Sequence, residues 1–252
     1  MIRRGEPWGS PARGPAVARG AGGDADLADL VRDHPGSRLS FRPDPSCDVA
    51  RAVGLTPSAS GAVELALDAV ALGDTLVVNL VVAGPAPDRL RWWHRRRPVT
   101  VRVDHRPVFE GRATTVVVAN GQFLRGADLV PRGHPGDGRL EVQVYAVPPG
   151  QRATLRRRVR AGGHLPHPEI VTARGRRVEV AWAGPTPLEA DGRARGRRAT
   201  LVATVVPAAF TTSGRLTSAN TGRSRFVTYG RSAVASSGVK GSGTNCMPLL
   251  GS

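Results

Sequence analysis

The sequence predicts a protein of the α+β class, in which a short α/β segment precedes an antiparallel β-sandwich-like domain. Glycine and proline are abundant, at 31 and 21 of 252 residues, while aromatic residues make up only 4%. This composition favours short strands and turns over long helices. Helical spacing of apolar residues occurs mainly before residue 55, whereas short β-rich runs fill most of the chain after Asp74.

Changes in composition along the chain predict four regions. Residues 1–20 are rich in Gly, Pro and Arg, have no hydrophobic period and are expected to be loose. Residues 211–252 are rich in Ser, Thr and Gly and poor in large apolar side chains, so we expect a disordered tail. Between them we predict a partial α/β domain over 21–72 and an antiparallel β domain over 73–210.

The partial α/β domain is predicted to contain two short helices and a strand. Leu27, Leu30 and Val31 recur at i, i+3 and i+4, which indicates a helix over 24–33 that follows a glycine pair. The other elements are a strand at 39–41, a helix at 47–54 capped by Ser46 or Asp48, and either a helix or an interdomain connection at 62–71.

The β domain is predicted from short runs of β-forming residues with turn residues between them. Such spacing is typical of an antiparallel sandwich or barrel. One helical interruption is predicted at 155–160. The strands are predicted at 75–82, 99–103, 113–119, 140–147, 177–183 and 200–206.

The formal net charge of +16 does not by itself indicate a nucleic-acid-binding protein. Lys240 is the only lysine, and the arginines are spread among Ala, Gly, Pro and Val along the whole chain. Bare charge of this kind is a weak functional signal. We therefore expect no DNA or RNA partner.

Residues 87–98 concentrate unusual side chains, with Trp92 and Trp93 adjacent to each other among five arginines. Tryptophan rings and guanidinium groups together are suited to the interface of an anionic membrane. They are also suited to single-stranded nucleic acid, on which aromatic rings stack. A third interpretation has one tryptophan in the core and the arginines solvated.

Cysteine use and hydropathy place the chain in the cytoplasm. Cys47 and Cys246 are too few for a disulfide framework or a metal knuckle. The longest nearly apolar run, 76–83, is far shorter than the roughly 20 residues that span a bilayer, and no signal peptide is recognisable. We expect a cytoplasmic protein whose contact with membranes, if any, is peripheral.

Two glycine-containing loops have the composition of ligand-binding loops. The segment 116–142 places two strands around a loop in which Asn120, Gly121 and Gly126 occur, and glycines let backbone N–H groups approach a ligand. Gly22-Gly23-Asp24 precedes a predicted helix, whose N-terminus could cradle a phosphate, although an ordinary turn is the alternative.

These motifs resemble those of the diacylglycerol kinase-like lipid kinases, within the NAD kinase and diacylglycerol kinase superfamily. In that family a strand ending N-G-x-x-x-x-G precedes a proline turn and D-G-x-L-[DE]-V, and G-G-D-G-T opens a helix before P-x-G-T-x-N-D-x-A-R-x-x-G. The matching residues here are Gly22, Gly23, Asp24, Asp48, Ala50, Arg51, Gly54, Asn120, Gly121, Gly126, Pro131, Asp137, Gly138, Leu140, Glu141 and Val142.

The resemblance implies that residues 21–72 are the remnant of a nucleotide-binding, kinase catalytic-like domain. It also implies ATP and Mg²⁺ as cofactors. The family's first phosphate loop does not occur among the 21 residues before Gly22, so we expect a shortened domain. The cofactor-binding residues would be Gly22, Gly23, Asp24, Asp48, Asn120 and Gly121.

The family also has a D-G-E turn whose glutamate is the expected general base for the lipid hydroxyl. Here the turn is Asp191-Gly192-Arg193, and a guanidinium cannot accept a proton. Asp191 and Glu189 are the nearest carboxylates and become the candidate catalytic residues, on one face by strand alternation. The alternative is a simple hairpin turn, since Asp-Gly adopts positive φ angles readily.

Asp137 is the candidate metal ligand, because the family uses a related acidic loop to hold a structural Mg²⁺. Asp137-Gly138 is also a common hairpin turn, so both interpretations stay open.

The function implied by the resemblance is ATP-dependent phosphorylation of a lipid hydroxyl. We expect impaired catalysis, because Ala25-Asp26 replaces Gly-Thr and Arg193 replaces the glutamate. The alternative is a non-enzymatic pseudokinase that binds lipid, nucleotide or protein, and a basic nucleic-acid-binding protein ranks behind both. The expected partner is a lipid substrate or an anionic membrane surface.

Overall fold

The computed structural model describes residues 9–11, 14–56 and 63–216, and strands dominate it. The predicted helices at 24–33 and 47–54 and the strand at 39–41 are confirmed to within three residues at each end. The N-terminal elements are β1 (Ser10–Pro11), β2 (Ala18–Gly22), α1 (Asp24–Asp33), β3 (Arg38–Pro43), α2 (Asp48–Val53), β4 (Leu55–Thr56) and β5 (Val63–Leu72).

The rest of the described chain is a succession of strands with one α-helix. Every predicted run contains a strand, and the predicted helical interruption is α3. The elements are β6 (Thr75–Val77), β7 (Leu80–Ala83), β8 (Arg97–Val103), β9 (Arg106–Ala113), β10 (Thr115–Ala119), β11 (Phe123–Leu124), β12 (Ala127–Asp128), β13 (Leu140–Tyr145), α3 (Arg152–Arg160), β14 (Ile170–Gly175), β15 (Arg177–Ala190) and β16 (Arg193–Leu216).

Three expectations from the sequence are wrong. Residues 18–20, assigned to the loose N-terminal segment, begin β2 because their backbone pairs with β3. The span 62–71, expected to be a helix or a connection, is a strand through residues 63–71, which lie within β5, and residue 62 is outside the described residues. Residues 211–216 are not part of a tail, because β16 continues through them. The disorder expected for residues 217–252 lies outside the described residues.

The cap expected for α2 is also wrong. The N-cap position is Cys47, and no side chain caps it. Ser46 donates its hydroxyl to Asp44 Oδ1 at 2.6 Å instead, and Asp48 accepts from the backbone of a distant loop.

Strand pairing is antiparallel throughout the described residues except where β3 pairs with β2 and with β16. Along the main sheet the order is β1, β5, β16, β15, β7, β10, β13, β14. β15 divides its far edge between two partners, pairing with β8 through residues 178–182 and with β7 through residues 188–190. This division lets one long strand serve two parts of the β domain.

The 24-residue strand β16 joins the two halves of the molecule. Its first part pairs with β15, and residues 203–214 pair with β5. Thr211 and Thr212 also pair in parallel with Arg38 and Leu39 of β3. The N-terminal unit is therefore completed by residues from the C-terminal side of the described chain.

Three apolar clusters form the core. One lies among the strands of the β domain, one lies under α1 and α2 and includes Phe210 of β16, and one lies where α3 covers β10 and β13. The described helices have at most ten residues, and none is long and apolar enough to cross a membrane.

Candidate functional site

A cleft of about 580 Å³ lies between the helical N-terminal unit and the β domain. One wall is formed by the first turns of α1 and α2. The other is formed by three loop segments, which are Asn79-Leu80, 124–126 and the hairpin 191–193. The structure thus brings together in one cleft Gly23, Asp24, Asp48 and Asp191, which the sequence places up to 168 residues apart.

Asp24, the first residue of α1, lies at the base of this cleft and is buried. Its Oδ1 accepts the backbone N–H of Val49 at 2.9 Å, and its Oδ2 accepts the side-chain amide of Asn79 at 2.7 Å. Burial raises the pKa of Asp24 to about 6, while these two hydrogen bonds and one from Cys47 oppose the shift. The side chain therefore ties both helical turns to the β domain.

Asn79 is the site residue that sequence reasoning missed. Besides Asp24, its amide donates to the Phe123 carbonyl at 3.1 Å, and its buried Oδ1 has no hydrogen-bond partner. A signal existed, because Asn79 is the one polar residue in the run LVVNLVV. A buried amide in an apolar strand run requires partners, and that requirement indicates a structural or binding role.

The Asp191-Gly192 turn is a hairpin in which both residues have positive φ, at 49° and 78°. Asp191 is buried, and its carboxylate accepts three backbone N–H groups, from Val78 at 2.8 Å, Asn79 at 2.9 Å and Leu80 at 3.2 Å. Burial and the nearby Asp24 raise its pKa to about 8, and the three N–H donors act in the opposite direction. Asp191 holds the backbone that presents Asn79.

Glu189 lies beside the cleft and not in its lining. Its carboxylate is paired with the guanidinium of Arg125, which also contacts Asp88 at 3.2 Å. The two candidate catalytic carboxylates therefore have different surroundings, since one is fixed by backbone donors and the other by an ion pair.

The glycine pair before α1 is occupied by the protein's own carboxylate. Gly23 N–H donates to Asp26 Oδ2 at 2.9 Å. Gly22 has φ of 135°, and a Cβ there would lie 2.2 Å from the same carboxylate, so only glycine fits. Asp26 thus sits where the helix N-terminus would otherwise offer a donor to an anion.

Arg193 closes the cleft from the other side. Its guanidinium contacts Asp26 at 2.6 Å and Asp29 at 2.5 Å, and so joins the hairpin to α1. These ion pairs raise the pKa of Arg193 further above its ordinary value, which excludes it as a proton acceptor.

Asp48 joins α2 to the loop after β11. Its Oδ1 accepts the backbone N–H of Gly126 at 2.9 Å and lies 3.5 Å from Arg51 Nε. Burial raises the pKa of Asp48, with the Gly126 hydrogen bond as the largest opposing contribution. The carboxylate is thereby engaged in positioning the loop.

The structure does not bring Asn120 and Gly121 into the lining of the cleft. Asn120 donates its amide to the carbonyls of Asp68 at 2.9 Å and Val78 at 2.8 Å. A Cβ on Gly121 would lie 2.2 Å from Asn79 Oδ1. These residues support the strand turn that carries Asn79.

Asp137 lies away from the cleft and faces an arginine. The guanidinium of Arg174 pairs with Asp137 and also with Glu141, the latter at 2.9 Å. Within the described parts of the chain no group of three or more His, Cys, Asp or Glu residues is arranged to hold a metal ion. The residues present do not fit Mg²⁺ here, because a cationic side chain already neutralises the acidic loop.

The cleft residues do not fit the triphosphate of ATP either. Arg51, Arg125 and Arg193 are the arginines in its lining, and each is paired with a carboxylate. Four aspartates, at 24, 26, 48 and 191, also line it. An additional polyanion would meet the negative charge of Asp26 and Asp48, while the three arginines of this described lining are already paired with carboxylates.

Comparison with known proteins identifies the family. Residues 85–213, more than half of the chain, match the model of the YegS C-terminal NAD kinase beta sandwich-like domain. The chain belongs to the YegS/diacylglycerol kinase-like family. The fold is accordingly a mixed one, mostly of strands, with a C-terminal β-sandwich-like domain, as the sequence predicted at that level.

Solved structures support the same fold over 78% of the chain. A diacylglycerol kinase from Bacillus anthracis str. Sterne is 16% identical, with a TM-score of 0.61 over 78% of this chain and 75% of that one. A second structure from the same strain, provisionally described as a diacylglycerol kinase, is 14% identical, with a TM-score of 0.64 over 78% and 76%. No curated protein sequence matches the chain.

Proposed function

We propose that this family member is a lipid kinase-like binding protein whose cleft does not transfer phosphate from ATP. In this proposal residues 21–72 are the remnant of a nucleotide-binding domain. One observation supports it above all: the Asp26 carboxylate accepts the Gly23 N–H and also pairs with Arg193. Asp26 therefore lies where a phosphate would bind, and it also connects the two walls of the cleft.

Phosphoryl transfer depends on positioning and on stabilising charge. The Asp26 carboxylate at the helix N-terminus accepts the Gly23 N–H, which is then not available to a phosphate. The carboxylate also adds a negative charge where a bound phosphate would need positive charge. The contacts of Arg193 with Asp26 and Asp29 also hold the hairpin against α1, which narrows the approach of a nucleotide.

The general-base position supports the same conclusion. Arg193 replaces the glutamate of the family turn, and the backbone N–H groups of residues 78–80 already engage the Asp191 carboxylate. Glu189 is neutralised by Arg125. A positioned base contributes about 10²–10⁴-fold in rate, and none of these groups is free to supply it.

The test is a transfer assay with labelled ATP, Mg²⁺ and a panel of lipid hydroxyl acceptors, together with calorimetric titration of ATP. We expect no transfer above the protein-free blank and no saturable ATP binding. Turnover of roughly 1–100 per second, typical of kinases, would disprove the proposal.

Variants make the test sharper. From the sequence alone Arg193→Glu should restore a base, but in the structure it would place a third carboxylate against Asp26 and Asp29. We therefore expect Arg193→Glu alone to lower thermal stability without producing activity. Arg193→Gln, which removes the charge without reversing it, is the matched control, and Ala25→Gly with Asp26→Thr added to Arg193→Glu restores the family pattern.

A second candidate is ATP-dependent phosphorylation of a lipid hydroxyl with impaired catalysis. It is favoured by Asp24, a cleft carboxylate whose pKa of about 6 is suited to accepting a proton near neutral pH. The same assay separates the two functions. Slow transfer that Asp24→Asn abolishes, with the folded state retained, would support the second candidate over the first.

A further inference from the structure

The loop of residues 90–96 presents two tryptophans to solvent. Trp92 is 71% exposed and Trp93 is 57% exposed. The other large apolar side chains exposed within the described residues are three valines, at 17, 202 and 206. Two adjacent exposed indoles are costly in water, and such a patch marks an interaction surface.

The loop is held in place by two arginines from α3, the buried Arg152 and the partly exposed Arg156. Arg152, itself 1% exposed, donates to the carbonyls of Arg91 at 3.0 Å, Trp92 at 3.1 Å and His94 at 2.5 Å. Arg156 donates to the carbonyl of Leu90 at 2.5 Å. These hydrogen bonds fix the loop backbone, so the fold itself keeps both indoles exposed.

The surroundings of the tryptophans are cationic. Arg89, Arg91 and Arg95 are exposed within or next to the loop. The neighbouring helix α3 adds three exposed arginines and contains no acidic residue. Asp88 is the only acidic residue from 87 to 98, and Arg125 neutralises it. The partner should therefore be anionic.

We propose that the loop 90–96 docks the protein on the surface of an anionic lipid bilayer. Tryptophan rings favour the headgroup region, where their apolar body and polar N–H are both accommodated. Arginines beside them contact lipid phosphates, each contributing about fivefold to partitioning near an anionic surface. The loop and α3 carry both kinds of side chain on one supported structure.

The ring geometry favours a membrane over single-stranded nucleic acid. The Trp92 and Trp93 rings are 5.5 Å apart at 87°, an edge-to-face arrangement. Because the two ring planes are nearly perpendicular, two successive bases that stack in parallel on each other could not also lie flat on both rings. Insertion into a headgroup layer does not require two free parallel faces.

The loop is linked to the rim of the cleft. Asp88, just before the loop, pairs with Arg125, and Arg125 pairs with Glu189 of the strand that leads into the cleft hairpin. Docking would thus hold the cleft close to the bilayer. The inference rests on the proposed function in assigning a binding role, but its test uses no nucleotide, so the two can fail separately.

The experiment is co-sedimentation of the full chain with phosphatidylcholine vesicles, with and without phosphatidylglycerol. We expect binding to the anionic vesicles only and a loss of about tenfold or more for Trp92→Ala with Trp93→Ala. Arg91→Ala with Arg95→Ala should also weaken binding and reduce its salt dependence.

The controls remove similar groups elsewhere. Val202→Ala removes exposed apolar surface from β16. Arg106→Ala removes an exposed charge beyond the far end of β8, about 20 Å from the loop because a seven-residue strand separates them. Both controls should bind as the wild type does, and each variant's thermal unfolding is recorded to exclude misfolding.

A second readout does not depend on any variant. Tryptophan emission of the wild type should shift to the blue and be quenched by brominated lipid when anionic vesicles are added. Equal binding to neutral vesicles, unchanged binding of the tryptophan variant, or tighter binding to a thymidine oligonucleotide than to anionic vesicles would each overturn the proposal.

Discussion

Asp191 illustrates at the residue scale how a carboxylate in a cleft can be structural. Its carboxylate oxygens accept hydrogen bonds from three consecutive backbone N–H groups, those of residues 78–80. The backbone held in this way carries Asn79, whose amide donates to Asp24. A carboxylate satisfied in this way stabilises the loop it holds, because buried N–H groups without partners are costly.

We expect Asp191→Ala to lower the free energy of unfolding by about 3 kcal/mol, since it leaves three N–H groups without acceptors. Glu189→Ala, two residues earlier, removes only a partly exposed ion pair and should cost under about 1 kcal/mol. Urea denaturation of both variants checks the contrast. Equal, small losses would return Asp191 to the list of candidate bases.

Asp24 should make stability depend on pH. Its pKa is about 6 in the folded protein and near 3.8 ordinarily, so the folded state binds the proton more tightly between these values. The Asp24 contribution to the free energy of unfolding should therefore fall as the pH rises from about 4 to 6, by about 3 kcal/mol at most, and then level off. Asp191, whose pKa is about 8, continues to lower the free energy of unfolding up to that pH.

Denaturation of wild type and Asp24→Asn at several pH values measures this contribution. Asp24→Asn should lose the decrease in unfolding free energy between about pH 4 and 6 that Asp24 causes. Asp74→Asn, in an exposed turn, should retain that decrease. Equal dependence of the unfolding free energy on pH for the wild type and Asp24→Asn between about pH 4 and 6 would contradict the assignment.

At the scale of secondary-structure elements, predictability followed the strength of the local pattern. α1 was predicted end to end because its apolar residues repeat and a glycine pair precedes it. β9 and β14 were not predicted, since each pairs with a single strand of the sheet and carries polar residues at its exposed positions. An edge strand with one buried side gives little apolar signal.

The site is predicted only in part, because several of its contacts join residues that are far apart in sequence. The family resemblance assigns Gly23, Asp24 and Asp48 to one site, and all three residues line the cleft, although their binding role stays a prediction. The pairing of Arg193 with Asp26 joins residues 167 apart in sequence. No spacing rule links such residues, because the contact exists only once β16 has folded against the N-terminal unit.

Truncation of β16 tests how far the fold extends. A chain ending at Leu216 should keep the melting temperature of the full chain. A chain ending at Ala209 should lose about 4 kcal/mol or more of unfolding free energy, because it lacks the buried Phe210, the pairing with β3 and β4, and the pairing of residues 210–214 with β5. A large drop in melting temperature for the chain that ends at Leu216 would show that residues 217–252 contribute to stability.

On the scale of the whole molecule, the N-terminal unit should be the less stable part. β2 is paired along one side only among the described strands, whereas β10 lies between β7 and β13, and β13 lies between β10 and β14. Local opening follows the weaker pairing. Amide hydrogen exchange should be faster over 18–56 than over 115–145, and equal protection would indicate that the two units open together.

The course of β16 through both units has a consequence for the order of synthesis on the ribosome. The segments that form α1, α2 and β3 emerge early, but the strand against which they pack is translated after every other described element. Until β16 has been translated, the apolar faces of α1 and α2 remain uncovered. Exposed apolar surface in a nascent chain favours aggregation and chaperone binding. The β domain, whose strands β7 to β14 are already present, can serve meanwhile as the surface on which the nascent N-terminal half is assembled.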